Sequence, residues 1–117
     1  MNMANRNDAY GGFIVSRNVL NGVPIRYSFR EESSISQLNG WNIFSEVDDD
    51  EYVNNPKNFC IINAESMSSI APQMLEIFEA PYGTDLFWVY EDNVHVGFYD
   101  LVKDCMTDIN KILNVIY

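Results

Sequence analysis

Pro24-Ile25-Arg26-Tyr27-Ser28-Phe29-Arg30 alternates apolar and polar side chains. In an extended chain Ile25, Tyr27 and Phe29 share one face, and Arg26, Ser28 and Arg30 share the other. Before it, Asn21-Gly22 is a turn signal, and Phe13-Ile14-Val15 reads as a short buried strand behind Gly11-Gly12. After it, residues 31–40 are polar and end in Asn39-Gly40, a second turn. Trp41-Asn42-Ile43-Phe44 then forms a third strand with Trp41 and Ile43 on one face. These three pieces predict an antiparallel meander.

Farther along, Asp48 to Asn55 reads as a loop with one helical turn, its acids gathered at the end the macrodipole favours, and Pro56 stops it. Phe59 to Ile62 is a fourth strand. Ser69 is placed to cap a short helix over Pro72 to Phe78, in which Met74, Leu75 and Phe78 form the apolar stripe. Leu86 to Tyr90 and Val94 to Phe98 flank Glu91-Asp92-Asn93 as a hairpin. Val102, Cys105, Met106, Ile109, Ile112, Leu113 and Ile116 recur at threes and fours, which predicts a C-terminal helix with Asp100 at its N-cap. The expected fold is α+β: a small antiparallel sheet of about five to six strands with two to three helices, the longest at the C-terminus. A disordered tail over residues 1–10 and a single α+β domain over 11–117 complete the expectation.

The 117 residues are 47% apolar and 14% aromatic, enough for a real core and against disorder or low complexity. No apolar run is long enough to predict a membrane span, and the first residues carry no apolar signal segment, so a cytoplasmic location is expected. Seven basic against seventeen acidic side chains give a net charge of −10. This disfavours nucleic acid and anionic lipid and favours a basic protein partner. From Glu31 to Pro56 there are seven acids, namely Glu31, Glu32, Glu46, Asp48, Asp49, Asp50 and Glu51, and no Lys or Arg. Such a run is either a solubilising face or a binding patch.

Cys60 and Cys105 lie in apolar patterns and read as buried, reduced thiols. The single histidine, His95, should point away from Val94 and Val96 and could reach solvent; Cys60 with His95 is the one conceivable thiol–imidazole pair. Asp104 and Asp108 would share a helix face without an apolar pocket to split their pKa values. Counting Asp48 and Asp50 as calcium-loop positions puts Val53 where glycine is required and Phe59 where the bidentate glutamate is required, so an EF-hand is excluded. One histidine and two separated cysteines make no structural zinc site, and no phosphate-binding glycine pattern occurs. No cofactor and no catalysis are expected.

One ordered set of motifs goes further. Gly12-Phe13-Ile14-Val15-Ser16-Arg17, Arg26-Tyr27, Phe29-Arg30-Glu31-Glu32, Gly40-Trp41 with Phe44-Ser45, and Asp50-Glu51-Tyr52-Val53-Asn54-Asn55-Pro56 follow one another, then Ser69-Ile70-Ala71-Pro72 and Pro81-Tyr82-Gly83-Thr84. Over roughly residues 12–90 the chain resembles the bacterial immunity protein 33-like family. Glu46-Val47 departs from the smaller, glycine-bearing turn expected there. The resemblance implies a cytoplasmic protein that neutralises a polymorphic toxin without chemistry of its own. Under it Trp41, Phe44, Tyr27 and Phe29 read as core, while Arg30 with Glu31 or Glu32, and Arg17 with an acid of residues 48–51, read as ion pairs. The expected partner-binding residues are Asp48, Asp49, Asp50, Glu51, Glu31, Glu32 and Tyr52, on a monomer or weak homodimer. The alternative is an intracellular ligand-binding or regulatory domain with no toxin partner.

Overall fold

The computed structural model describes residues 10–113. The expected tail, apart from Tyr10, and Ile116 of the expected terminal stripe fall outside them. Seven strands form one mixed sheet: β1 (Gly12–Ser16), β2 (Ile25–Arg30), β3 (Leu38–Ser45), β4 (Phe59–Ile62), β5 (Asp85–Glu91), β6 (Val94–Asp100) and β7 (Cys105–Thr107). Their order across the sheet is β4-β1-β3-β2-β5-β6-β7. Five short helices are described: α1 (Arg17–Leu20), α2 (Asp50–Val53), α3 (Ala64–Ile70), α4 (Gln73–Glu76) and α5 (Ile109–Ile112).

The expected fold is overturned in four respects: the described residues form seven strands rather than five to six and five short helices rather than two to three, and both the sheet type and the place of the longest helix differ. The sheet is mixed rather than antiparallel, because β1 runs parallel to β3, with Ile14 opposite Asn42 and Val15 opposite Ile43. Asn21-Gly22 does not turn a hairpin. Ser16 caps α1 by accepting from the Asn18 amide, and Asn21 closes that helical turn. The chain therefore leaves β1, passes over one strand position and returns as β2, and β3 enters the gap between them. Asn39-Gly40 is likewise inside β3, with Gly40 at φ +91.

The longest described helix is α3, not a C-terminal one. Asn63 caps α3 by accepting from the Ser66 amide, Ser69 lies within it, and Pro72 takes the N-cap position of α4. Residues 101–104 form a turn with Asp104 at φ 57, which breaks the helical pattern, and Cys105-Met106-Thr107 adds to the sheet edge as β7. Asp108 then caps the single turn of α5. The β5–β6 hairpin forms as the sequence predicts, with Asp92 at φ 52 and Asn93 at φ 67, the pair of left-handed residues a tight two-residue turn requires.

The core lies on one face of the sheet. Phe13, Val15, Trp41, Ile43, Leu86 and Trp88 project from the strands into Val19 of α1, Met67 of α3, Met74 of α4 and Ile112 of α5. Bulges decide which side chains join it. At Arg26 the pairing shifts between Ile25–Ser45 and Tyr27–Phe44, so Ile25 and Ser28 end on the core side while Tyr27 and Phe29 point away. Ser28 is fully buried and accepts from Trp88 Nε1 at 2.8 Å, its small side chain leaving room for the indole. Of the polar alternates of β2, Ser28 is thus a core residue. Tyr27, Phe29 and Phe44, expected in the core, occupy the opposite face, and Tyr27 is exposed.

Candidate partner-binding surface

The acidic segment follows directly from the end of β3. Ser45 is buried, and Asp48 folds back on it: the carboxylate accepts from the Ser45 amide at 2.7 Å, from Ser45 Oγ at 2.7 Å and from Asn18 Nδ2 at 2.8 Å. Burial alone would raise the Asp48 pKa, but the hydrogen bonds from Ser45, Asn18 and Ser16 outweigh it and hold the pKa below the ordinary value. Neither Glu46 nor Val47 takes a positive φ, so this turn closes without glycine. Asp48 is bound inward, as a brace.

Asp49 caps α2 by accepting from the Tyr52 amide at 2.8 Å, and Asp50 and Glu51 fill the first helical turn, where the macrodipole favours acids. All three are exposed. Tyr52 is partly buried: its ring meets Phe59 at 6.1 Å, its hydroxyl donates to the Asn58 carbonyl, and Asn58 Nδ2 returns a bond to the Tyr52 carbonyl at 2.8 Å. Tyr52 therefore staples the loop, and Asn55 caps the 3₁₀ turn Pro56–Asn58 behind it. The acids are presented on a preformed scaffold.

Glu31 and Glu32 are exposed, but they leave the far end of β2. Ile25, at the near end, pairs with Ser45 beside the acidic loop. About 20 Å of strand separates the two acid groups. Neither expected ion pair forms. Arg30 donates instead to the carbonyls of Asn39, Phe78 and Ala80, with its guanidinium over the Tyr82 ring at 4.7 Å. Arg17 donates to the Lys57 carbonyl. Arg26 and Glu46 do form an ion pair, at 3.3 Å.

Residues that the sequence reading placed in the core line the face opposite the helices. Phe44 sits between Phe29 and Phe59, each at 5.3 Å, and Tyr27 packs edge-on to Phe87, also at 5.3 Å. Ile61, paired with Ile14, is 65% exposed. A groove of about 390 Å³ runs among Ile14, Phe44, Val53, Pro56, Phe59 and Ile61. Arg26 lies over Phe87 at 4.8 Å. At the Phe29 end of this face stands Asp85, whose pKa is raised by burial and by the neighbouring Asp100 charge. No simple alternation could reveal this face, because both sides of the strands carry large apolar residues.

The remaining chemical candidates are dispersed. Cys60 on β4 and His95 on β6 have four strands between them, roughly 24 Å at ordinary strand spacing, so they form no pair. Cys105 is exposed, contrary to the buried thiol expected. A bulge at Val96 turns His95 inward, against Trp88 at 4.5 Å and Phe98 at 4.7 Å. Burial lowers its pKa, partly offset by a backbone bond with Gly97, and Nε2 is buried with no partner. Asp104 accepts from the Tyr99 hydroxyl and Asp108 caps α5, so they share no helix face. Among the described residues no group of three or more His, Cys, Asp or Glu is arranged to hold a metal ion, and no helix is long and apolar enough to cross a membrane.

The model of the immunity protein Imm33 domain matches residues 13–96, more than two thirds of the chain. The chain belongs to that family. The match takes in β1 from Phe13 through the hairpin turn and the start of β6, and with them the acidic loop, the Arg30 contacts and most of the face opposite the helices. β7 and α5 lie beyond it. No curated protein and no solved structure matches the chain. An Imm33 domain is an immunity-type domain, which in general has a toxin protein as its partner.

Proposed function

We propose that this protein binds and neutralises a cognate bacterial toxin in the cytoplasm, without catalysis, and that its acidic surface guides the encounter. Membership of an immunity family carries this reading. The charge of −10 and the exposed Asp49, Asp50 and Glu51 on a pinned helical turn support the acidic part. A rigid acidic loop loses little freedom on binding and accelerates association with a basic partner. If the toxin is a nuclease, these carboxylates would stand in for phosphates in its groove. The test is co-expression with any toxin-like protein found to be encoded beside this gene. Growth should be restored only when this protein is made, and equal killing with and without it rejects the reading.

A second reading, a small-ligand domain, is favoured by a cavity of about 450 Å³ bounded by Val23, Ile25, Gln73, Trp88, Tyr90 and His95. The unpartnered Nε2 belongs to one of these side chains. A thermal-shift screen separates the readings, since a ligand at about a hundred times its Kd adds about 2.7 kcal/mol.

A further inference from the structure

The acidic loop alone is a small target, and the molecule offers a larger one beside it. Among the described residues the helical core covers one side of the sheet, and no helix is packed over the middle strands of the other. We infer that the toxin docks on this uncovered face, and that the segment seated there is cationic and carries large apolar side chains. The inference rests on the immunity reading and names its surface.

Three observations lead to it. Phe59, Phe44 and Phe29 make a continuous aromatic row, with Tyr27 on Phe87 beside it and the Ile14–Ile61 groove at one end. Rigid, partly exposed aromatic side chains of this kind dominate interface energetics. Acids stand at both ends of the strands: Asp49, Asp50 and Glu51 beyond Ser45, and Glu31, Glu32 and Asp85 toward Arg30. Arg26, the base on the face, is already held by Glu46. Arg17 and Lys57 stand together at the Ser16 end of β1, at the border of the face, where Arg17 Nε donates to the Lys57 backbone carbonyl.

The charge pattern also chooses among occupants. A second copy would bring two −10 molecules together with acids opposed, whereas a basic segment neutralises both ends while its apolar side chains fill the row.

The full chain is titrated with a synthetic peptide of alternating lysine and leucine, about ten residues long, and followed by NMR. Shifts should concentrate on Tyr27, Phe44, Phe59 and Phe87 and leave Met67 and Ile77 unmoved. The pair Tyr27→Ser and Phe44→Ser should weaken binding about tenfold. Ile61→Ser, at a side chain too exposed to matter for folding, should weaken it about threefold. Shifts centred on the helical side or the His95 cavity, unchanged affinity in both variants, or a dimer closed through this face in sedimentation would overturn the inference. The toxin itself separates the two claims. Failure to neutralise removes the immunity reading and with it the toxin as occupant. Neutralisation that ignores Tyr27, Phe44 and Ile61 keeps the function and rejects the surface.

Discussion

Arg30 and Trp41 face each other across β2 and β3 and donate to one acceptor, the Phe78 carbonyl, at 2.9 and 3.0 Å. Arg30 adds Ala80 and Asn39, and its backbone bonds Gly83 and Thr84. The sheet is thereby tied to the whole segment from the end of α4 to the start of β5. Arg30→Lys should destabilise the fold by about 2 kcal/mol, since an ammonium cannot reach three carbonyls in fork geometry. Urea denaturation measures it, and a loss below about 0.5 kcal/mol would show that the fork contributes little.

Gly40 should tolerate no side chain. Its φ is +91, and a Cβ there would run into the Glu31 carbonyl oxygen, with the Tyr82 ring 3.1 Å away. Gly40→Ala is expected to cost about 2–4 kcal/mol by strain and displacement of the β2–β3 pairing. Gly22→Ala, with φ +101 but open space around it, should cost only about 1 kcal/mol. Thermal unfolding of the two variants side by side checks the difference.

Asp48 and its acidic neighbours should separate cleanly. The folded Asp48 pKa lies below its unfolded value, so its stabilisation is complete above the unfolded pKa near 4 and is lost as pH falls through the folded pKa. Asp48→Asn should destabilise by about 1 kcal/mol at neutral pH and flatten the acid side of the stability profile. Amide replacement of Asp49, Asp50 and Glu51 should leave stability within about 0.5 kcal/mol, because asparagine also caps helices. The same triple variant should slow toxin association most at low salt, and stopped-flow rates that ignore the substitutions would place steering elsewhere.

His95 should also lose stability as pH falls, but because the fold favours its neutral form. Burial favours its neutral form, so the unfolded chain takes up a proton more readily and stability falls as pH drops from about 6.5 toward the lowered folded pKa. His95→Phe should remove the slope that sets in as pH falls through about 6.5. It should also be neutral or stabilising by up to about 1 kcal/mol, since the orphaned Nε2 is gone. A slope that persists in the variant assigns it to another group.

Local signals were legible where a residue's own conformation decides the structure. Asp92 and Asn93 tolerate the left-handed turn they occupy, and Asp49 is a good cap at the head of α2. All six expected strands exist. The placement of β1 beside β3 was not legible, because strand order depends on which edge the chain returns to after α1, and nothing in residues 12–30 encodes it. β7 was hidden because Cys105, Met106 and Ile109 fit helical spacing equally well, until Asp104 takes a positive φ. At the candidate surface the acids were readable by charge. The inward bonds of Asp48 and the outward turn of Tyr27 and Phe29 were not, since they follow from a contact with Asn18 and from the bulge at Arg26.

The position of β1 has a consequence for how the chain is made. Both of its neighbours, β3 and β4, are translated after it. A ribosome therefore releases Phe13-Ile14-Val15 with nowhere to pair: one edge of the strand waits for β3, complete at Ser45, and the other stays unpartnered until Ile62 has emerged. During biosynthesis the β2–β3 ribbon can assemble around its own local contacts first, leaving the earliest segment to slot in late as the keystone of that half of the sheet.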